Sequence, residues 1–306
     1  MATSSRRLPP TSTILALYGP TASGKTAVAG LLRERLGADV VSADSASLYA
    51  GMPILTAAPP YPARLVGITP VTEIMSVGAY RELAHRAIDD VLADGRLPLV
   101  VGGTGLYLRA ALADWSLPPA TERRFFWQNE YERLGPEQAH ALLLARDPRA
   151  AGRVHANDRK RVVRALELAE AGSSLAPETD QLWTADTRLP TTIVALNVPL
   201  AELDRRIEAR TRAMVEQGVV AEARAVWAAG PASTAARVLG LEQFATLSAD
   251  EAVPLVTRST RRLARYQQKW LRRMPGVVTL DGDRPVEEIA DEIVALERSG
   301  KRLPRH

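Results

Sequence analysis

Apolar and polar positions along the first 110 residues follow two alternating periods. Short apolar runs at Ile14–Tyr18, 39–43 and 98–101 have strand length, whereas 26–36 and 79–93 place Ala, Leu, Ile and Val at helical spacing. Strand, helix, strand, helix with short links predicts a parallel sheet flanked by helices. From about residue 114 to 190 the texture turns polar and rich in Arg, Glu and Gln, without a strand-like run. Helices are expected there at 121–134, 136–146 and 158–171, with breaks at Pro118-Pro119, Asp147-Pro148 and Gly172-Ser173-Ser174. A strand at 191–198, helices at 201–217 and 219–229, a strand at 277–280 and a helix at 286–298 complete the pattern. The organisation expected is an α/β core of 1–113 and 191–306 with a helical insertion at 114–190.

The link after the first strand reads Gly19-Pro-Thr-Ala-Ser-Gly-Lys-Thr26. A glycine, four residues, then Gly-Lys-Thr is the spacing of a P-loop. Backbone N–H groups of Gly19, Thr21, Ala22, Ser23 and Gly24 can curl round an anion, the helix beginning at Lys25 adds its dipole, and the Lys25 ammonium adds a full charge. Thr26 can offer its hydroxyl to Mg²⁺. The motif, with a strand before it and a helix after it, predicts a P-loop NTPase-like parallel sheet; it does not say whose phosphate is held.

Composition narrows the chemistry. The chain has 306 residues, 46% of them apolar, enough for a buried core, and its lack of cysteine excludes disulfides, thiolate metal sites and cysteine nucleophiles. The first ten residues carry Arg6 and Arg7 but no apolar stretch, and no run approaches a membrane span. A cytoplasmic protein that avoids membranes, acting as a monomer, is expected. Net charge is +4, and lysine occurs only at positions 25, 160, 269 and 301, so arginine carries the positive charge. That usage fits a polyanion partner, and it equally fits a coding bias, so local clustering has to decide.

Clustering is found. Residues 258–273 hold Arg258, Arg261, Arg262, Arg265, Lys269, Arg272 and Arg273 with no acid among them, and Tyr266 and Trp270 lie one turn apart. Within the run, mutual repulsion is unrelieved, which points to nucleic acid or pyrophosphate. Arg159, Lys160, Arg161 and Arg164 form a second cluster, on a helix that Asn157-Asp158 would cap. Asp44 falls at the carboxyl end of the second strand, where open α/β sheets bind ligands; it could support Mg²⁺, act as a general base or cap a turn. Thr104 is the hydroxyl within Gly102-Gly-Thr-Gly105, a turn whose glycines would let backbone approach a ligand and leave Thr104 to donate to it.

Together these segments resemble the tRNA dimethylallyltransferase family over nearly the full chain. The resemblance rests on Gly19 to Thr26, Ser42-Ala-Asp-Ser-Ala-Ser-Leu-Tyr49, Val101-Gly-Gly-Thr-Gly-Leu-Tyr107, Asn157-Asp-Arg-Lys-Arg-Val-Val-Arg-Ala-Leu-Glu167 and Thr260-Arg-Arg-Leu-Ala-Arg265 through Trp270. It implies that the loop holds the pyrophosphate of dimethylallyl diphosphate, with Mg²⁺ on Thr26, and that the five-carbon group passes to N6 of an adenosine beside the anticodon. Asp44 is then the base, while Thr104 and Arg210, from Arg210-Thr-Arg-Ala-Met214, assist departure of pyrophosphate. The family's adenine contacts fall on Asp44, Ser45 and Ser47, and the anticodon arm of tRNA would meet the insertion, Arg237 to Glu242, and the clusters containing Arg159, Lys160, Arg161, Arg164, Arg261 and Arg265.

Two segments depart from the family. Many relatives follow the tyrosine with a basic residue and Gly-Met-Asp-Ile-Gly-Thr-Ala-Lys-Pro, where this chain has Ala50-Gly-Met-Pro-Ile-Leu-Thr-Ala-Ala-Pro59. In the second, relatives usually carry His and Asp around a leucine where this chain has Ala63-Arg-Leu-Val-Gly67. The alternatives are a prenyltransferase using a free adenine nucleotide, a small-molecule P-loop kinase, and an RNA-binding protein without catalysis.

Overall fold

The structure is a computed structural model that describes residues 13–114, 123–176 and 184–300. The Arg6-Arg7 terminus, Pro118-Pro119 and the first two residues of the helix expected at 121–134 lie outside them. The chain divides into two compact units, Met1–Asp114 with Trp183–His306, and Trp115–Leu182.

The larger unit holds one six-stranded parallel sheet of β1 (Ile14–Tyr18), β2 (Ala38–Ser42), β3 (Ala63–Arg64), β4 (Leu97–Gly102), β5 (Thr191–Asn197) and β6 (Val278–Asp281), in the order β3-β2-β4-β1-β5-β6. This is a P-loop NTPase-like core. Because parallel strands in such a sheet are covered on both faces, β1 is apolar and buried at every position. On one face Leu15, Leu17, Val40, Leu99, Val194 and Leu196 meet Val28 and Leu32 of α1 (Lys25–Leu36) and Ile289 and Ile293 of a C-terminal helix at Val286–Arg298. On the other, α2 (Val77–Ala93) and α3 (Gly105–Leu112) pack on β4 and on each other. Register pairs Tyr18 with Gly102 and Ser42 with Val101, so the turns after β1, β2 and β4 open at one edge, the crevice where ligands bind in such sheets.

The smaller unit contains α4 (Arg124–Arg146), α5 (Pro148–Ala151) and α6 (Arg159–Glu170). The helix α4 is broken at Gly135, whose φ of 78° is open to a residue without a Cβ, as the two expected pieces around Pro136 require. Asp158 caps α6 through the backbone N–H of Arg161 at 3.2 Å. Trp127, Tyr131, Leu143, Val162 and Leu166 form this unit's own core.

Returning to the larger unit, α7 (Leu200–Glu216), α8 (Val219–Ala228), α9 (Leu241–Thr246), α10 (Ala249–Leu271) and α11, the C-terminal helix already placed on the sheet, complete the chain. The helix α10 starts nine residues before the basic run, at a Ser248/Glu251 capping box that closes its first turn despite Pro254.

The glycines at the end of β4 and in the turn after it answer a need of the protein's own packing. A Cβ on Gly102 would stand 2.1 Å from the carbonyl oxygen of Ala43, and one on Gly105 2.2 Å from the indole of Trp270. They let β2, β4 and α10 close on one another. Since backbone cannot swing aside as a side chain does, Gly102→Ala should cost about 3 kcal/mol of folding stability, read as a lower midpoint in urea with an unchanged slope.

Candidate functional site

At the open edge of the sheet lies a cavity of about 240 Å³, smaller than most ligand sites and far too small for a folded RNA. Its walls include Thr21 to Thr26, Ser42, Asp44, Ser47, Gly102, Gly103, Arg210 and Gln267, with Leu55, Met214, Val238, Leu239, Val256 and Leu263 completing an apolar side. The loop after β1 takes the P-loop turn, with Ala22 at φ 64° and Gly24 at φ 88°, delivering the backbone to the first turn of α1. Lys25 Nζ donates to the carbonyl of Pro20 at 2.6 Å, and Arg210 Nη2 donates to the Thr21 hydroxyl at 2.6 Å. The Ser23 hydroxyl is buried and, among the described residues, has no hydrogen-bond partner. An orphaned hydroxyl inside an anion-binding loop is a group awaiting an acceptor.

Electrostatics say the same. Burial pulls the Lys25 ammonium down to about 7, against the upward pull of Asp44 and with a further downward push from Arg210. Burial likewise lowers Arg210, with Asp44 opposing. Two cations in one cavity meet a single carboxylate, Asp44, among the lining residues. The lining carries more positive than negative charge, which favours an anion. Asp44 Oδ1 accepts the backbone N–H of Ala46 at 2.8 Å, which fixes the carboxylate and leaves its second oxygen available. Among the described residues no group of three or more His, Cys, Asp or Glu gathers to hold a metal.

The IPP transferase family pattern matches residues 47–274. The chain is 41% identical to a tRNA dimethylallyltransferase of Salinispora arenicola over 88% of this chain and 82% of the relative. It is also 41% identical to one of Kineococcus radiotolerans over 91% and 94%. The chain belongs to the IPP transferase family. A crystal structure of a tRNA isopentenylpyrophosphate transferase from Bacillus halodurans aligns at TM-score 0.68 and 28% identity, covering 95% of this chain and 97% of that one. A eukaryotic dimethylallyltransferase acting on tRNA aligns at TM-score 0.78 and 20% identity over 96% and 81%, evidence of the common fold.

In this IPP transferase the sequence-derived residues fall into three groups. Thr21, Ala22, Ser23, Gly24, Lys25, Thr26, Asp44, Ser47 and Arg210 wall the cavity together. Gly19 supports it, since a Cβ there would strike the Ser23 hydroxyl at 2.7 Å. Ser45 and Thr104 flank the lining residues and face each other at 3.5 Å. The basic clusters are different. Arg261 bonds Glu208 at 2.9 Å and Arg265 bonds Asp204 at 3.0 Å, so the acids absent from the run arrive from α7, and the expected unrelieved repulsion does not hold for these two. Arg159, Arg161 and Arg164 pair with Glu132, Asp158 and Glu167, while Lys160 and Arg237 are exposed.

Sequence reasoning missed Gln267. Its carboxamide accepts the Thr21 N–H at 2.7 Å and donates to the Gly103 carbonyl at 2.9 Å, tying α10 to the P-loop and to the turn after β4. The one available signal was a pair of amides, Gln267-Gln268, in a run otherwise basic. Glu222 was missed too; its two oxygens accept the Ile54 and Leu55 N–H groups at 2.9 and 2.8 Å and hold the departing segment against the cavity. Tyr61 donates to the Thr26 carbonyl at 2.9 Å over the first turn of α1. Among the described residues no helix is long and apolar enough to cross a membrane.

Proposed function

We propose that this IPP transferase moves a dimethylallyl group from dimethylallyl diphosphate to N6 of an adenosine beside the anticodon in tRNA and releases pyrophosphate. The observation that carries the reading is the cavity itself: a P-loop with two part-buried cations and one acid, and hydrocarbon in the rest of the wall. A diphosphate joined to a short apolar chain has that distribution of charge. The allylic C–O bond breaks as N6 bonds to the terminal carbon, the amine proton passes to the free oxygen of Asp44, and pyrophosphate leaves. Lys25, Arg210 and the N–H groups of residues 21–26 receive the charge that develops on the leaving oxygens. A Mg²⁺ ion fits a site of this donor set, because Mg²⁺ is commonly held by one or two protein oxygens plus substrate phosphates, and Thr26 would supply the hydroxyl. Bound there, it would neutralise diphosphate charge.

The target base must leave its stack to enter so small a space, and a loop nucleotide does this at least cost. Ser45, Ser47 and Thr104 stand beside Asp44 where its edge would arrive, and Arg159, Lys160, Arg161, Arg164 and Arg237 are the cations offered to the anticodon arm. A monomeric, cytoplasmic enzyme completes the reading. The deciding experiment supplies Mg²⁺, labelled dimethylallyl diphosphate and either tRNA or AMP. Label in tRNA is the expected result; label in AMP alone, or ATP turnover without prenyl transfer, overturns it.

Donor binding should also carry a proton. Lys25 is half neutral at about pH 7 in the free protein, and a diphosphate beside it favours the ammonium. At pH 8 binding should therefore take up close to one proton, and affinity should fall about tenfold per pH unit above 7, whereas near pH 5.5 Lys25 is already charged and takes up none. Calorimetry in two buffers of different ionisation enthalpy measures the uptake. Lys25→Met should abolish it.

A further inference from the structure

The cavity takes one base, so the nucleotides on either side of that base stay outside and lose a stacking neighbour. The rim of the cavity offers a replacement. Around α10, at about 100° per residue, Val256, Thr260, Leu263 and Gln267 face the cavity, and Arg261 and Arg265 face the acids of α7. Between these two sectors, on the solvent side, come Tyr266 and then Arg258, Arg262 and Lys269. Tyr266 is 57% exposed, large for an aromatic side chain, and sits one turn from Leu263, the partly exposed end of the cavity wall. Its ring meets Trp270 edge-on at 6.5 Å, and Trp270 is seated on Gly105, so the outer face of Tyr266 is presented on a fixed support. Among the described residues no ion pair engages Arg258, Arg262 or Lys269, in contrast to Arg261 and Arg265 one helical step away.

We propose that Tyr266 is the stacking platform for the nucleotide adjoining the modified adenosine, with Arg258, Arg262 and Lys269 on the flanking phosphates. This rests on the RNA reading above and adds to it a residue that chooses among RNAs by the neighbour they carry. An aromatic face holds any base by stacking and holds a purine best, while cations without internal acid partners are free to displace counterions from a phosphate backbone. The paired Arg261 and Arg265 brace α10 on α7 instead.

The test uses anticodon-arm RNAs that differ only in the nucleotide beside the target, carrying a purine, a pyrimidine or an abasic site. Binding without donor is measured alongside transfer of label. Tyr266→Ala should raise Kd and KM for the purine RNA about tenfold to a hundredfold, leave KM for dimethylallyl diphosphate unchanged, and have little effect on the abasic RNA. Tyr266→Phe should restore the wild-type values, since the ring and not the hydroxyl is used. An equal loss on purine and abasic RNA, failure of the Phe variant to rescue, or a shift in donor KM would overturn the proposal. Wild-type protein that binds these RNAs with the predicted neighbour preference yet transfers no label would overturn the enzymatic reading and leave the platform standing.

Discussion

Asp44→Ala is expected to lower the rate of prenyl transfer about a thousandfold while leaving tRNA affinity within about threefold of wild type. The amine lone pair of adenosine is delocalised into the ring, so N6 becomes a competent nucleophile only as its proton departs. Among the described residues Asp44 is the one carboxylate lining the cavity, and the Ala46 N–H aims it without using its second oxygen. Asp44→Asn keeps size and the turn bond but cannot take a proton, so it should be nearly as slow as the alanine variant. Single-turnover transfer separates chemistry from release, and filter binding gives tRNA affinity. An asparagine variant with near-normal rate would make Asp44 a structural cap, the reading that its bond to Ala46 alone would support.

Arg210→Ala should reduce transfer about a hundredfold to a thousandfold by removing a charge from the leaving diphosphate, and Lys25→Met should do at least as much. Both carry a second signature. Burial disfavours each cation in the free protein, and Arg210 further disfavours Lys25, so removing either relieves that cost, and thermal unfolding without ligand should be unchanged or higher despite the lost activity. Dimethylallyl diphosphate should then stabilise the variants less than the wild type. A drop in unliganded stability together with activity would mean that Arg210 acts by holding Thr21, which it bonds at 2.6 Å, more than by meeting the diphosphate.

Much of this was legible in one dimension because it is local chemistry. The P-loop turn, the αL glycine before α1, the Asp158 cap and the break at Gly135 each depend on residues within a few positions of one another. Five of the six strands match expected runs closely because buried parallel strands favour apolar runs; Ile14–Tyr18 is the clearest. The two-residue strand β3 gave no such run, since partly buried Ala63 and Arg64 pair only with β2 at the sheet's edge.

The chain by itself determined a phosphate-gripping loop at the end of a parallel sheet, an acid near it, and a supply of arginine. Only the tertiary structure decided how these are used. Gln267 reaches Thr21 across 246 positions, and Glu208 reaches Arg261 across 53, because α10 comes back to lie against α7 and the loop after β1. Whether a cation is paired, a hydroxyl orphaned or a glycine crowded is a property of its neighbours in space, and those neighbours are chosen by packing the core.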